Sequence, residues 1–129
     1  MSDVIRLSGT TVDAPDALAL ATFYAEITGG RAVGDERWAA TVGPGGSIAF
    51  QQASGYRRPE WPDGAVPIQL HLDFLVDDLE ATGARVLAAG AIRLDHQPNA
   101  DHCLVYADPA GHPFCLSTWD GEHAIRGHD

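Results

Sequence analysis

Apolar positions recur along the chain with two different periods, and the switches between them divide it into two similar halves. Residues 5–13 are rich in β-branched side chains and predict an opening strand. Asp13-Ala14-Pro15-Asp16 then supplies a turn and a helix start, with Asp16 placed to cap the first free N–H groups. From Ala17 to Thr28 the spacing of Leu18, Leu20, Ala21, Phe23, Tyr24, Ala25 and Ile27 is helical with a broad buried face, and Gly29-Gly30 ends it. Short strands follow at 31–33, 37–42 and 47–52, the last two joined by the turn Gly43-Pro44-Gly45-Gly46. Residues 54–67, punctuated by Gly55, Pro59, Pro62, Gly64 and Pro67, read as the one long loop. The second half repeats the plan. It has a strand over 68–76, a helix over 79–89 capped by Asp78 and ended by Gly90, strands at 92–95 and 102–107, the turn Asp108-Pro109-Ala110-Gly111, and a strand at 112–118.

The landmarks of the two halves correspond. Asp16 and Asp78 are 62 positions apart, and the two glycine-bearing turns are 65 apart. The expectation is an α+β fold of two tandem βαβββ modules. They form a curved mixed-sheet cup with helices on its outer face. The boundaries are about 4–53 for module one, 54–67 for the linker, 68–118 for module two and 119–129 for a frayed tail, all within a single domain.

Strand alternation sorts the side chains by face. Leu70, Leu72, Phe74 and Val76 share the face expected to pack on helices, leaving Gln69, His71 and Asp73 opposite. By the same alternation Gln51 goes with the polar face in module one, and Cys115 and Ser117 in module two. His71 and Asp73 are the candidate catalytic pair, with His71 as general base. Gln51, Gln69 and Cys115, with the aromatic residues Trp38, Trp61 and Tyr106, are the candidate ligand-binding set. Each also has a structural reading. Asp73 could be held by backbone or an arginine, Cys115 could be a small buried hydrophobe, and the aromatics could be core or subunit contacts. Gly43–Gly46 lacks the Lys-Ser/Thr and helix of a phosphate loop and reads as a turn.

Composition narrows the partners. The chain has 129 residues, 45% of them apolar, so a packed core is within reach. A net charge of −10 repels phosphate backbones and anionic lipid, so nucleic acid and membrane surfaces are not expected partners. No apolar run approaches membrane-spanning length and no signal segment is evident, so a cytoplasmic location is expected. The two cysteines, Cys103 and Cys115, are expected to be reduced, and they form no C-x-x-C pair.

The duplicated plan, the stretch from His71 to Leu79 (HLDFLVDDL) and the stretch from Tyr106 to Phe114 (YADPAGHPF) resemble the vicinal oxygen chelate superfamily. The likeness is to its glyoxalase-like branch, related to bleomycin-resistance proteins, and the loop from Tyr56 to Asp63 shares it. It covers nearly residues 5–118. The resemblance implies four metal-ligand positions, which fall on Gly9, Gln51 (or Phe50), His71 and Cys115. Only His71 matches the family histidine, so His71 and Gln51 are the metal candidates of a degenerate site. No cofactor is expected, with a divalent metal as the alternative. The implied function is small-molecule binding, of the kind that sequesters an antibiotic or metabolite, in a homodimer. The alternative is a lyase, isomerase or dioxygenase-type enzyme using His71 as general base or metal ligand; a third reading is a paralogue kept for protein contacts.

Overall fold

A computed structural model describes residues 4–126. It divides into two compact units at the Tyr56–Arg57 boundary. The first unit runs β1 (Thr10–Ala14), α1 (Ala17–Thr28), β2 (Arg31–Gly34), β3 (Trp38–Gly43) and β4 (Gly46–Gln52). The second runs β5 (Leu72–Leu75), α2 (Leu79–Ala89), β6 (Ile92–Arg93), β7 (Cys103–Ala107), β8 (Pro113–Ser117) and a short α3 (Gly121–Arg126). The strand orders are β1-β4-β3-β2 and β5-β8-β7-β6, the same sequence of neighbours in each. In each sheet the outer pair β1/β4 or β5/β8 is parallel and the rest antiparallel. The chain is α+β and built from two tandem βαβββ modules, as the pattern predicts. No helix among the described residues is long and apolar enough to cross a membrane.

The two helices start by the same device. Asp16 Oδ1 accepts the Ala19 N–H at 3.0 Å, and Asp78 Oδ1 accepts the Ala81 N–H at 3.0 Å. Each carboxylate satisfies a donor that has no partner inside its helix. Gly29, with φ 77°, closes α1 in the left-handed conformation. In the first unit Tyr24 stacks on Phe50 at 5.7 Å, and both are fully buried. The buried Thr41 hydroxyl donates to the Ala21 carbonyl at 2.7 Å, tying β3 to the helix.

In the second unit Val86 of α2 is buried, as are Leu104, Tyr106, Phe114 and Leu116 on one face of the sheet. Tyr106 and Phe114 stack at 5.9 Å. Gly83 explains how the helix comes so close. A Cβ built there would lie 2.4 Å from the Tyr106 hydroxyl oxygen, so the position needs glycine despite its poor helix propensity. Tyr106 is therefore a helix-facing core residue, 2% exposed, which fits the core reading of this aromatic rather than a place in the ligand-binding set.

Three elements differ from the sequence expectation. The opening strand begins at Thr10, opposite Ile48, and residues 4–9 carry no ladder; Ile5 and Leu7 are almost fully exposed. The strand expected over 68–76 contracts to Leu72–Leu75. Its partner β8 begins at Pro113, which has no N–H to offer the row that His71 would occupy. Leu70 consequently leaves the expected core face and is 61% exposed, and Gln69 lies outside the strand. Within the expected frayed tail of 119–129, residues 121–126 instead form α3, with Arg126 bonded to Glu122 one turn earlier, and 127–129 lie outside the described residues.

The turn before β8 is held by a buried carboxylate. Asp108 is 1% exposed, and its Oδ1 accepts the N–H of Ala110 at 2.9 Å and of His112 at 3.0 Å. Asp108→Ala strands these donors and should lower stability by about 2 kcal/mol. Urea unfolding at unchanged slope reads this directly. A loss below ~0.5 kcal/mol would mean that the backbone bonds of the turn hold it without the side chain.

Candidate functional site

The face of the second sheet that α2 does not cover gathers the polar groups. Parallel pairing sets Asp73 of β5 beside Cys115 of β8, with their side chains on one face. His71 stands two residues before Asp73 and turns back onto it, with Nε2 3.1 Å from Asp73 Oδ1. On the other side of Cys115, antiparallel pairing sets Val105 of β7 directly opposite and Cys103 one diagonal step away. Asp73 and Cys103 are the polar neighbours that bear on the Cys115 thiol. Ligand atoms of His71, Asp73 and Cys115 all lie within 4.8 Å of one another.

Electrostatics follow from these contacts. The hydrogen bond to Asp73 raises the His71 pKa above its ordinary 6.5, against a smaller opposing effect of burial. The same bond lowers the Asp73 pKa below 3.8. Burial pushes both thiols up, Cys115 far more than Cys103. Cys115 is 8% exposed, whereas the His71 and Asp73 side chains are open to solvent. The cluster therefore joins a solvent-accessible imidazole and a carboxylate to a thiol pair that burial keeps neutral.

Beside this cluster the same face carries a cleft of about 310 Å3. Its floor is Ile92, Leu94, Ala107 and Pro113, and its wall is the loop Arg58 to Asp63 with the Trp61 ring. Pro113 is two residues before Cys115 on one strand, so floor and cluster are about 7 Å apart, one pleat repeat. Trp61 packs on His96 at 5.1 Å between ring centres. The loop is fixed to the turn below it, because Arg58 Nη1 donates to the Pro109 carbonyl at 3.2 Å. Its stem lies where any side chain at Gly111 would stand, a Cβ there coming within 2.2 Å of Arg58 Cγ. With φ 96°, Gly111 is required by both the turn and the loop.

The first unit has its own small polar row. Gln51 Nε2 donates to Asp13 Oδ1 at 2.8 Å, and Trp38, 59% exposed, pairs with Gln51 in the ladder. Of the residues singled out from sequence, His71, Asp73 and Cys115 come together, Trp61 lines the adjoining cleft, and Gln51 and Trp38 neighbour each other in the first unit. Gln69 joins neither group. Asp13, Cys103, Arg58, Ile92 and Leu94 were not singled out. Counting back from Ala107 and Val105 by twos would have placed Cys103 on the polar face. The roles of Arg58 and Ile92 depend on how the loop folds over the sheet, which no local pattern carries.

A profile of the Glyoxalase-like domain matches residues 9–117. The chain belongs to the glyoxalase-like domain family. This places it in the vicinal oxygen chelate superfamily. Among solved structures it is similar to the fosfomycin resistance protein FosX from Mesorhizobium loti, at 16% identity and TM-score 0.70, covering 96% of this chain and 99% of that one. FosX from Listeria monocytogenes, in complex with Mn(II) and sulfate, gives 14% identity and TM-score 0.72, covering 98% and 100%. An integron cassette protein from the mobile metagenome of V. cholerae gives 20% and 0.60, covering 93% and 99%. These likenesses are of fold. No curated protein matches the chain.

The ligand positions implied by the superfamily do not make a hard-metal site in this glyoxalase-like chain. Gly9 has no donor, and it precedes β1. Gln51 is a neutral amide already engaged with Asp13. Cys115 puts a buried thiol where a carboxylate is usual, and hard ions prefer oxygen. His71 alone has the expected chemistry.

The His71–Asp73 pair has a defined pH window. Raising the His71 pKa stabilises the fold below about 6.5, and that gain is lost as pH rises through the raised value. Lowering the Asp73 pKa stabilises above about 3.8 and is lost as pH falls through the lowered value. Titration of chelator-treated, reduced protein by NMR should show His71 above 6.5, returning toward it in Asp73→Asn. A His71 pKa unmoved by that substitution would remove the pair as its cause.

Proposed function

We propose that this glyoxalase-like protein binds a small organic molecule on the uncovered face of its second sheet and has lost the superfamily's four-position metal site. Sequestration of an antibiotic or metabolite is the function this fits. The observation that carries it is a formed cleft beside an intact polar cluster, in a chain whose Gly9 and Gln51 do not supply metal donors. The cleft has the size and character of a ligand site, with an apolar floor, one indole wall and a few charged groups at its rim. On the same reading the two modules work as one domain, the protein is a cytoplasmic homodimer, and the aromatic Trp38 belongs to the ligand-binding or subunit surface. The acidic balance and the exposed Trp38 support this reading.

The His71–Asp73 contact favours a second reading, catalysis of the lyase or isomerase type. An imidazole whose basicity is raised by a carboxylate can take a proton from a carbon or oxygen acid and return it elsewhere. Asp73 fixes the ring and stabilises its charged form, and Cys115 stands beside Asp73 on the next strand. The open side of His71 leaves the proton path to solvent or substrate.

The test is a thermal-shift and calorimetric screen of flat apolar molecules against chelator-treated protein. Saturable binding is expected without added metal. Trp61→Ala should weaken it by at least tenfold, the ~1.4 kcal/mol expected for a lost aromatic wall, with circular dichroism unchanged. Binding or turnover that appears only on adding Mn(II) or Fe(II) would overturn the metal-free reading. His71→Ala separates the alternatives: a binding protein keeps its affinity within a few-fold, and an enzyme keeps binding but loses turnover.

A further inference from the structure

The loop that walls the cleft sets its aromatic ring between two acids. Glu60 precedes Trp61 and Asp63 follows it by two, and all three line the cleft within the second unit. Glu60 is fixed by its own backbone and side chain together. Its N–H donates to the Val66 carbonyl at 2.7 Å, and its Oε1 accepts the Val66 N–H at 3.2 Å. Gly64 leaves room for the other oxygen, because a Cβ there would stand 2.7 Å from Glu60 Oε2. The indole is steadied in turn by His96, at 5.1 Å between ring centres. A carboxylate and a ring are thus held ready at the cleft wall before any ligand arrives.

The cations of this face are turned elsewhere. Arg58 is the one basic residue of the lining, and its Nη1 donates to the Pro109 carbonyl while its stem crosses Gly111. His71 of the neighbouring cluster directs Nε2 at Asp73. An anionic ligand group would therefore meet cations already aimed at acceptors, and two carboxylates beside them.

We infer that the cleft takes organic cations, a protonated amine carried on a flat apolar body. This rests on the reading of the cleft as a small-molecule site and names the class of its ligand. The floor of Ile92, Leu94, Ala107 and Pro113 receives the flat body. Indole is the best aromatic partner for an ammonium lying over its face, within about 6 Å of the ring centre. Glu60 and Asp63 add two carboxylates at the same wall. Exposed charges contribute little singly, so the discrimination comes from ring and acids lining one cleft and is of the order of tenfold. The net charge of −10 also draws cations toward the chain and raises their rate of encounter.

The probes are three molecules of one shape: naphthylmethylamine, naphthylmethanol and naphthoate, titrated by calorimetry into the chelator-treated full chain. The amine should bind about tenfold more tightly than the alcohol, and the carboxylate more weakly than either. Glu60→Gln keeps an acceptor for the Val66 N–H, and it and Asp63→Asn should each cut the amine-to-alcohol ratio about threefold. The double variant should bring it to within about twofold, and so should salt at about 1 M, where screening acts within roughly 3 Å. Circular dichroism checks each fold, and Asp63→Asn carries the test if Glu60→Gln does not fold. An alcohol or carboxylate that binds as tightly as the amine would overturn the cation assignment and leave the small-molecule site standing. A preference that survives both substitutions would overturn it too, because the charge would then be read elsewhere. Failure of all three probes to bind would sink the small-molecule reading, and this inference with it.

Discussion

Parallel pairing of β5 with β8 sets everything else in the second unit. One register, Leu72 against Phe114 and Asp73 against Cys115, sends Phe74, Phe114 and Leu116 toward α2 and brings the polar side chains together on the reverse. Slipping that register by one residue would bury Asp73 under the helix and expose Phe74, a cost of several kcal/mol. The register is held from both ends. Asp108 locks the turn that delivers β8, and Asp78 caps the helix that follows β5. The site is a by-product of the same hydrophobic choice that makes the core.

The equivalent strands β1 and β4 show what the module does without that chemistry. They pair in parallel too, and Asp13 lands beside Gln51 just as Asp73 lands beside Cys115. There the carboxylate meets a neutral amide and accepts a hydrogen bond from it. In the second unit it meets an imidazole and a thiol, both able to give up a proton. A duplicated scaffold has therefore kept the geometry at both places and concentrated reactivity at one.

Much of this was legible from the residues in order. The duplication, both helix caps, the helix-ending glycines and the Asp-Pro-x-Gly turn are local signals, and each lies where the pattern puts it. Alternation placed His71, Asp73 and Cys115 on one face because period two survives wherever a strand is straight. The pattern leaves Tyr106 between core and ligand wall; the clue that decides it is Gly83, a glycine inside a helix, meaningful only once the two are seen in contact. Alternation failed at Leu70, because the pattern does not record that Pro113 ends the ladder. The cleft was illegible for a plainer reason. Its wall and floor are 29 or more positions apart in sequence, joined by the Arg58 bond to Pro109.

The chemistry of the cluster turns on the replacement of a carboxylate position by Cys115. A carboxylate there would add charge beside Asp73, and two such groups would demand a hard cation to separate them. A thiol adds none until it is ionised, and burial keeps it neutral. His71 therefore answers to Asp73, and the two behave as an acid–base pair set against a neutral thiol rather than against a second carboxylate.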